Sequence, residues 1–291
     1  MGLKISVHGG HSGQFCTHAR DSLAEMVAEY HRQGFACVCL TEHMPPESDA
    51  WRYADEVEAG LTARDMQERF QAYVDEARRL SGLYAGQMTV LVGMESEWYP
   101  GVQAGVARWR GDLDVLVGSV HHVGGICFDY SPEHYAGAVA RAGGLIPLYL
   151  SYLDAQWEML VGLRPEVVGH FDLIRMHDQD YVQRIAHPQV WSRITRNLKL
   201  IGEIGAVLDV NSRALLKGQP EPYVCKPILE AASSLGIRAA FGDDAHGVDD
   251  VGRGEESVRN LLTKGGFAPL TITGGQDRQG GCREFFSKPS T

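Results

Sequence analysis

Short apolar runs alternate along the chain with longer segments in which apolar residues recur at helical spacing. The runs are rich in β-branched residues, and most of them are apolar at successive positions rather than at every second one. Such runs are typical of strands that are buried on both faces of a parallel sheet and connected by helices. Seven strands are predicted, over residues 3–7, 35–40, 88–94, 113–120, 166–168, 206–210 and 237–241.

Helix boundaries are readable between several of these runs. Asp21 and Thr62 precede two helical segments as capping residues, and Gly34 and Gly82 follow the ends of the same segments. The predicted helices cover residues 22–33, 63–80, 133–141, 147–163, 188–204, 223–235 and 255–264. No internal repeat or linker divides the sequence. We therefore predict an α/β protein in which residues 1–291 form one domain, a length that a closed barrel commonly reaches.

Metal-capable or polar side chains follow every predicted strand. In chain order they are His8 with His11, His43, Glu95, His121, His170, Asn211, and Asp244 with His246. The carboxyl ends of the strands in a parallel barrel meet at one site, so these side chains are expected to converge. Seven of the twelve histidines lie at strand ends or, like His18, in the loop after the first strand. One such histidine is ordinarily a hydrogen-bonded core residue. The set as a whole predicts a metal site.

The mixture of imidazole and carboxylate groups predicts two or three divalent transition-metal ions, which would be zinc, iron or manganese. Closely spaced ions lower the pKa of a bound water and neutralise the oxygens of a transferring phosphoryl group. The predicted reaction is therefore hydrolysis of a phosphate ester. The sequence contains no nucleotide-binding loop and no serine-nucleophile motif. Cys16 is an alternative nucleophile, although a structural role for its thiol is favoured because a metal site already serves hydrolysis.

The composition limits the possible partners. A formal net charge of −10 disfavours nucleic acid, because proteins that bind the phosphate backbone usually carry basic patches. The six cysteines form no CxxC pair, which favours a reducing compartment. No apolar run is long enough to cross a membrane, and no secretory leader is recognisable. We predict a cytoplasmic protein that acts on a small phosphorylated substrate and contacts neither nucleic acid nor membrane, with its oligomeric state left open.

Seven short segments, in order along nearly the whole chain, resemble the polymerase and histidinol phosphatase (PHP) superfamily, and specifically its histidinol-phosphatase branch. The segments are Cys16-Thr17-His18-Ala19, Thr41-Glu42-His43, Gly93-Met94-Glu95, Gly118-Ser119-Val120-His121, Gly169-His170-Phe171-Asp172, Asp209-Val210-Asn211 and Asp244-Ala245-His246. Each segment is short, and their number and order make the resemblance specific. It implies a distorted (β/α)7 barrel, similar to a TIM barrel, with three metal ions at the carboxyl ends of the strands.

The resemblance also implies roles for individual residues. One metal would be bound by His8, His11, Glu95 and Asp244, a second by Glu95, His121 and His170, and a third by His18, His43 and His246. Glu95, Asp244 and His246 would take part in catalysis, in which a hydroxide held between metals attacks phosphorus. The implied substrate is L-histidinol phosphate, which would be converted to L-histidinol and phosphate as a step of histidine biosynthesis.

This sequence departs from the family pattern at its first motif. The family usually has one residue between two histidines, whereas this chain reads His8-Gly9-Gly10-His11. His11 would then reach the site across a bulge that the two glycines permit. Two further departures are Glu42, where the family commonly has aspartate, and Asp243, where it commonly has serine. Both are expected to orient metal ligands rather than to bind metal.

Substrate binding requires residues beyond the metal ligands. Arg175, in the loop after His170, and Arg213, two residues beyond Asn211, are predicted to contact the phosphate. The polar segment 45–60 is a candidate active-site loop. Its acids could face the ammonium and imidazole groups of the substrate, and they are Glu47, Asp49, Asp55 and Glu56. We assign no function to the glycine-rich end of the sequence, residues 274–291.

Two alternatives stay open at the level of sequence. A PHP phosphoesterase could act on another small phosphate monoester or on a nucleotide. A PHP domain could also be a non-catalytic metal-binding module. The complete set of candidate ligands favours an enzyme, because a degenerate site would have lost some of them.

Overall fold

A sheet of seven parallel strands forms the centre of the computed structural model, which describes residues 2–272 and 286–287. The strands adjoin one another in chain order, and all seven predicted strands are confirmed. They are β1 (Ile5–Ser6), β2 (Cys37–His43), β3 (Thr89–Ser96), β4 (Val115–Gly118), β7 (Val167–Val168), β8 (Val207–Asn211) and β9 (Arg238–Gly242). A hairpin of β5 (His122–Val123) and β6 (Ile126–Cys127) follows β4.

The sheet closes on itself between its first and last strands. The backbone N–H of Val7 donates to the carbonyl of Phe241 at 2.9 Å, and the N–H of Asp243 donates to the carbonyl of His8 at 3.1 Å. Because every strand runs in the same direction, all the carboxyl ends lie at one rim of the barrel. The predicted seven-stranded α/β barrel is therefore confirmed, and the strand-end residues share one face.

Helices connect the strands on the outside of the barrel. They are α1 (Leu23–Arg32), α2 (Ala54–Glu58), α3 (Ala63–Leu83), α4 (Val102–Trp109), α5 (Pro132–Ala142), α6 (Leu145–Leu163), α7 (Tyr181–Ala186), α8 (Pro188–Ile204), α9 (Arg213–Leu216), α10 (Lys226–Ser234) and α11 (Glu255–Lys264). The seven predicted helices are present. The four additional ones, α2, α4, α7 and α9, are short, with too few turns to give a clear apolar period.

Several boundaries differ from the prediction by a few residues, and two segments differ in a way that bears on the site. Helix α10 begins at Lys226 rather than at residue 223, because Tyr223 forms an antiparallel bridge with Asn211 and its N–H donates to the Asn211 carbonyl at 3.0 Å. The predicted active-site loop 45–60 contains helix α2 and a 3₁₀ turn, Asp49–Trp51. Within the segment, Asp55 reaches the cavity described below.

A second apolar cluster fills the barrel interior, separate from the larger cluster between the strands and the helices. It includes Val7, Val115 and Val207 from the strands, together with Leu270 and Phe286 from the end of the chain. Phe286 lies in β11 (Phe286–Ser287), which pairs with β10 (Thr271–Ile272). The end of the chain therefore contributes to the core at this position. The rest of 274–291 lies outside the described residues, as does Cys282.

Within residues 2–272, we find no helix that combines the length and the apolar character needed to cross a membrane.

Candidate metal centre and active-site cavity

The Glu95 carboxylate stands at the centre of the strand ends. It lies at the end of β3, where Glu95 pairs in register with His43 of β2, and its side chain is almost wholly buried. Five histidines surround it. The distances from a carboxylate oxygen are 2.9 Å to His170 Nε2, 3.4 Å to His43 Nδ1, 3.5 Å to His8 Nε2, 3.5 Å to His121 Nε2 and 3.8 Å to His11 Nε2. The strands thus bring these predicted residues together.

Acidic residues hold the outer nitrogens of three of these rings. Nδ1 of His8 lies 2.9 Å from Asp209 Oδ2, and Nδ1 of His11 lies 3.3 Å from Glu42 Oε1. Nδ1 of His121 hydrogen-bonds Glu97. In each case Nε2 is the nitrogen directed toward Glu95. Metal-binding histidines commonly have this arrangement, since an outer carboxylate fixes both the tautomer and the orientation of the ring.

Three groups of side chains among the described residues have donor atoms close enough to hold a metal ion. They are His8 with Glu95 and His170, His8 with His11 and Asp244, and His11 with His43 and His246. The prediction placed His18 with His43 and His246, whereas the third group has His11. The His18 ring nevertheless lies nearby, with its centroid 4.9 Å from that of His43 and 5.0 Å from that of His246.

The state of the donor atoms fits a cation. His8 Nε2 and His43 Nδ1 are buried and face Glu95 without forming a hydrogen bond to any described residue. Burial lowers the pKa of His11, but the Asp244 and Glu42 carboxylates outweigh it and raise this pKa to about 9. The site therefore stabilises positive charge beside these acids. A metal ion would provide that charge while leaving the ring nitrogens free as ligands.

His11 reaches the centre despite the extra residue in the first motif. Its Nε2 lies 3.0 Å from Asp244 Oδ1, and its N–H donates to the Ala245 carbonyl at 2.8 Å. Gly9 is required because its backbone lies close to the backbone of β2, whereas Gly10 faces the end of a flexible side chain. A Cβ atom at Gly9 would lie 2.4 Å from the Cys39 carbonyl oxygen, and one at Gly10 would lie 2.4 Å from the end of the Met26 side chain.

The turn after β9 aims Asp244 at the same centre. Asp244 has a φ of 48°, in the left-handed region that aspartate tolerates better than most residues, and its N–H donates to the His8 carbonyl at 3.0 Å. The preceding residue, Asp243, accepts hydrogen bonds from the hydroxyls of Tyr30 and Ser6. Asp243 therefore anchors this turn, whereas Glu42 contacts a histidine ring directly.

Arg175 does not reach the cavity, which corrects the prediction that it binds phosphate. Its side chain is fully buried, and protein groups accept its hydrogen bonds. Arg175 lies at the end of the 3₁₀ turn Leu173–Arg175 and is not among the residues that line the cavity. Its partners are the Asp172 carboxylate at 2.9 Å, the Gln219 side chain, the carbonyls of Glu221 and Pro222, and the rings of Tyr181 and Tyr223. The guanidinium therefore supports the wall of the cavity that Tyr223 lines.

Arg213 does line the cavity, as predicted. It begins helix α9, and one of its terminal nitrogens lies 2.9 Å from Asp250 Oδ2. Lys217, four residues later, lines the same cavity and was not predicted. The spacing of these two cations places them on one side of the helical turn, which is a signal that the sequence offered. The cavity has a volume of about 270 Å³, which suits a small molecule.

Sequence reasoning missed other residues of the cavity and of the shell behind it. The cavity is also lined by Tyr53, Cys127, Asp129, Tyr130 and Tyr223. Behind the cavity, the two oxygens of Glu97 contact Nδ1 of His121 and of His122, the latter at 3.0 Å. The hydroxyl of Tyr53 also hydrogen-bonds Glu97. Most of these residues lie just before helix α2 or in and directly after the hairpin that follows β4, and neither element was predicted. Glu97 directly follows β3, and Tyr223 precedes α10.

Cys16 has none of the features of a nucleophile. Its side chain is almost fully buried, and burial together with the negative charge of Glu42 raises the pKa of its thiol far above the usual range. A thiol that stays protonated at neutral pH is a poor nucleophile. The structural role favoured for Cys16 agrees with this environment.

Known proteins resemble this chain in sequence and in architecture. The family model described as "PHP domain" matches residues 9–213. A protein of Schizosaccharomyces pombe named "Probable histidinol-phosphatase" is 33% identical over 276 residues, which cover 93% of this chain and 89% of the relative. A crystal structure from Listeria monocytogenes has a TM-score of 0.77 at 26% identity and covers 87% of this chain and 99% of its own.

A second solved structure shows the same fold at lower identity. It is histidinol phosphate phosphatase from Lactococcus lactis subsp. lactis, complexed with zinc, L-histidinol and phosphate. Its TM-score is 0.67 at 17% identity, and the alignment covers 92% of this chain and 96% of that protein. The family model spans most of the chain. Six of the nine predicted metal ligands, from His11 to His170, lie within its match, and His8 lies directly before the match begins. The chain therefore belongs to the PHP domain family.

Proposed function

We propose that this protein is a metal-dependent phosphatase that hydrolyses L-histidinol phosphate to L-histidinol and phosphate. The observation that carries the proposal is the buried Glu95 carboxylate, which five histidines surround at the edge of a small cavity. The name of the Schizosaccharomyces pombe relative supports the choice of substrate. A phosphatase of this kind would act in histidine biosynthesis.

The candidate ligands suit two or three ions of zinc, iron or manganese. We assign His8, His11, Glu95 and Asp244 to one ion, and Glu95, His121 and His170 to a second. A third would be held by His43 and His246 with His11 or His18, both of which lie beside this pair. Ions bound in such a site lower the pKa of water and stabilise the charge of a phosphoryl group. The zinc in the Lactococcus lactis structure supports zinc as one candidate.

The protein's own side chains supply the remaining functions. Nδ1 of His246 lies 2.8 Å from the backbone carbonyl of Asp244. A carbonyl can only accept a hydrogen bond, so Nδ1 carries the proton and donates it. Nε2 is then the nitrogen available to the cavity. Burial acts to raise the pKa of Asp244, but His8, His246 and His11 hold it well below its usual range. Asp244 therefore stays ionised, which is the state that a metal ligand needs. Arg213 and Lys217 offer positive charge to the phosphate oxygens.

The two alternatives are less well supported. A non-catalytic PHP module would not need to keep a complete set of ligands around Glu95. A phosphatase for other monoesters or nucleotides would use the same centre, so the choice between substrates depends on the residues that line the cavity. We place the enzyme in the cytoplasm because its cysteine pattern favours a reducing compartment. The five cysteines within the described part of the chain are unpaired, in agreement with this.

Metal removal and restoration test the proposed chemistry. The purified protein should release L-histidinol and inorganic phosphate in equal amounts from histidinol phosphate. Chelation should abolish this activity, and zinc, iron or manganese should restore it, with at least two metal equivalents bound per chain. A protein that stays fully active after its metal has been removed would contradict the proposal.

A further inference from the structure

The cavity carries charges of both signs outside the metal ligands. Arg213 and Lys217 provide positive charge, whereas Asp55 and Asp129 provide negative charge. L-Histidinol phosphate has a corresponding distribution, with a dianionic phosphate at one end, an imidazole at the other, and an ammonium group on the carbon chain between them. The metal ions and the cations account for the phosphate. Among the described residues that line the cavity, Asp55 and Asp129 are the acids outside the metal ligands, so they are the candidates to receive the ammonium group.

Asp55 is already engaged by its neighbours. Its carboxylate accepts a hydrogen bond from the Thr17 hydroxyl and lies 3.4 Å from Nδ1 of His18. The side chain therefore holds His18 beside His43 and His246, and it is committed to orienting the metal centre.

Asp129 makes fewer contacts with its neighbours than Asp55 does. It follows the β5–β6 hairpin and is half-buried at the cavity wall. Its one hydrogen bond to a described residue comes from the Cys127 thiol, a weak donor, whose sulfur lies 3.3 Å from Oδ1. No lysine, arginine or histidine of residues 2–272 forms an ion pair with it. The carboxylate is thus free to accept hydrogen bonds from a bound molecule.

The surroundings of Asp129 also favour an organic cation. The rings of Tyr53, Tyr130 and Tyr223 line the same cavity. Burial is the main cause that raises the pKa of Tyr53 and of Tyr223, and the negative charge of Asp129 adds to it in both residues. The Asp129 carboxylate is therefore close enough to influence the hydroxyl groups of both Tyr53 and Tyr223. Aromatic faces around a carboxylate stabilise an ammonium group both directly and by excluding water.

We propose that Asp129 is the specificity-determining residue of this enzyme and accepts a hydrogen bond from the ammonium group of the substrate. The inference rests on the proposed function, because it assumes that the phosphate end binds at the metal centre. A phosphate ester without an ammonium group would leave the Asp129 charge without a partner. The enzyme would therefore prefer phosphate esters of an amino alcohol over phosphate esters of an uncharged phenol.

The test compares two substrates in the metal-loaded enzyme. In Asp129→Asn, kcat/KM for histidinol phosphate should fall at least about tenfold further than kcat/KM for p-nitrophenyl phosphate, the loss expected for a charged hydrogen bond. Asp129→Glu should recover part of the preference because it keeps the charge. Asp75→Asn, on the exposed face of α3, is the matched control and should leave the ratio at its original value. Equal losses for both substrates in Asp129→Asn would overturn the proposal.

A measurement on the unaltered protein keeps the proposal testable if the variants fold poorly. L-Histidinol should inhibit hydrolysis of p-nitrophenyl phosphate at least about tenfold more strongly than 3-(imidazol-4-yl)propan-1-ol, which lacks only the amine. Equal inhibition by the two compounds would overturn the role of the ammonium group. A protein that hydrolyses p-nitrophenyl phosphate but not histidinol phosphate would overturn the proposed function itself, and that result is distinct from a failure of Asp129 alone.

Discussion

Asp209 holds His8 in place through a hydrogen bond of 2.9 Å between Oδ2 and the Nδ1 atom of the ring. The same oxygen also accepts hydrogen bonds from the backbone N–H of His170 at 3.2 Å and from the side chain of Asn211 at 3.0 Å. One fully buried carboxylate therefore positions two candidate metal ligands, His8 and His170, that are far apart in the sequence.

Asp209→Asn should weaken metal binding without removing a ligand. The asparagine side chain carries no negative charge, so it no longer makes the His8 ring a stronger metal ligand. Replacing such a carboxylate typically lowers metal affinity by about 10- to 100-fold. We expect activity to require more added metal, and to recover when metal is in excess. The measurement is activity as a function of free metal concentration, with Asp75→Asn as the control. An unchanged metal dependence would contradict this role for Asp209.

Glu95→Gln should abolish turnover and leave the fold intact. The carboxylate contacts five histidines and is assigned to two metal ions, so a neutral amide removes charge that both require. Activity should drop below about a tenth of the original value, a loss of at least roughly 1.4 kcal/mol in transition-state stabilisation. Circular dichroism checks the fold, and His31→Ala on the exposed face of α1 is the control. Activity above that limit would show that Glu95 does not bridge metals.

Arg175 and Arg213 should respond in opposite ways to replacement by alanine. Arg175→Ala leaves the buried Asp172 charge uncompensated and should reduce the free energy of unfolding by about 3–5 kcal/mol. Arg213→Ala should cost little stability but raise KM for all phosphate esters, with metal content unchanged. Thermal unfolding and steady-state kinetics separate the two effects. A stable Arg175 variant with a raised KM would return the phosphate-binding role to Arg175.

Glu56→Gln should stabilise the protein at alkaline pH. Burial and the nearby charges of Asp55 and Glu97 raise the pKa of Glu56 to about 7, although its hydrogen bond from the Tyr53 N–H acts in the other direction. The folded state binds a proton here more tightly than the unfolded state does, so the original protein loses stability as the pH rises from about 4.5 to about 7. Above that range the loss is constant, at most roughly 3 kcal/mol.

The difference in free energy of unfolding between the original protein and Glu56→Gln, measured from pH 4 to pH 8, tests this sign. The other titrating groups are common to both proteins and cancel in the comparison. The glutamine can still accept the hydrogen bond from Tyr53. A stability difference that does not change between pH 4 and pH 8 would show that Glu56 has an ordinary pKa.

The sequence predicted the barrel and the convergence of its histidines because both depend on local signals. Each buried strand is an apolar run, and the residue that follows it must lie at the carboxyl rim. Asp209 and Glu97 gave no comparable signal, since an acid within or after a strand has no spacing that identifies its partner. Their roles depend on which strands become neighbours, and that is decided by the whole fold.

The prediction for Arg175 shows a second limit of local reasoning. Its position after His170 suggested the cavity, but the side chain is buried against Tyr181, Gln219 and Tyr223 instead. Two of these groups are more than forty residues away in sequence. Asp129 was missed for a related reason, because the short hairpin that presents it has too few residues to show an alternating pattern.

The relative specificity of the enzyme for histidinol phosphate is the most direct test of the proposed function. The value of kcat/KM should be measured for histidinol phosphate, p-nitrophenyl phosphate and AMP on one metal-loaded preparation of known metal content. We predict a preference for histidinol phosphate of at least about tenfold over each of the others, roughly 1.4 kcal/mol of differential transition-state binding. Equal values for the three esters, or a preference for AMP, would contradict the account and indicate a PHP phosphoesterase with a different substrate.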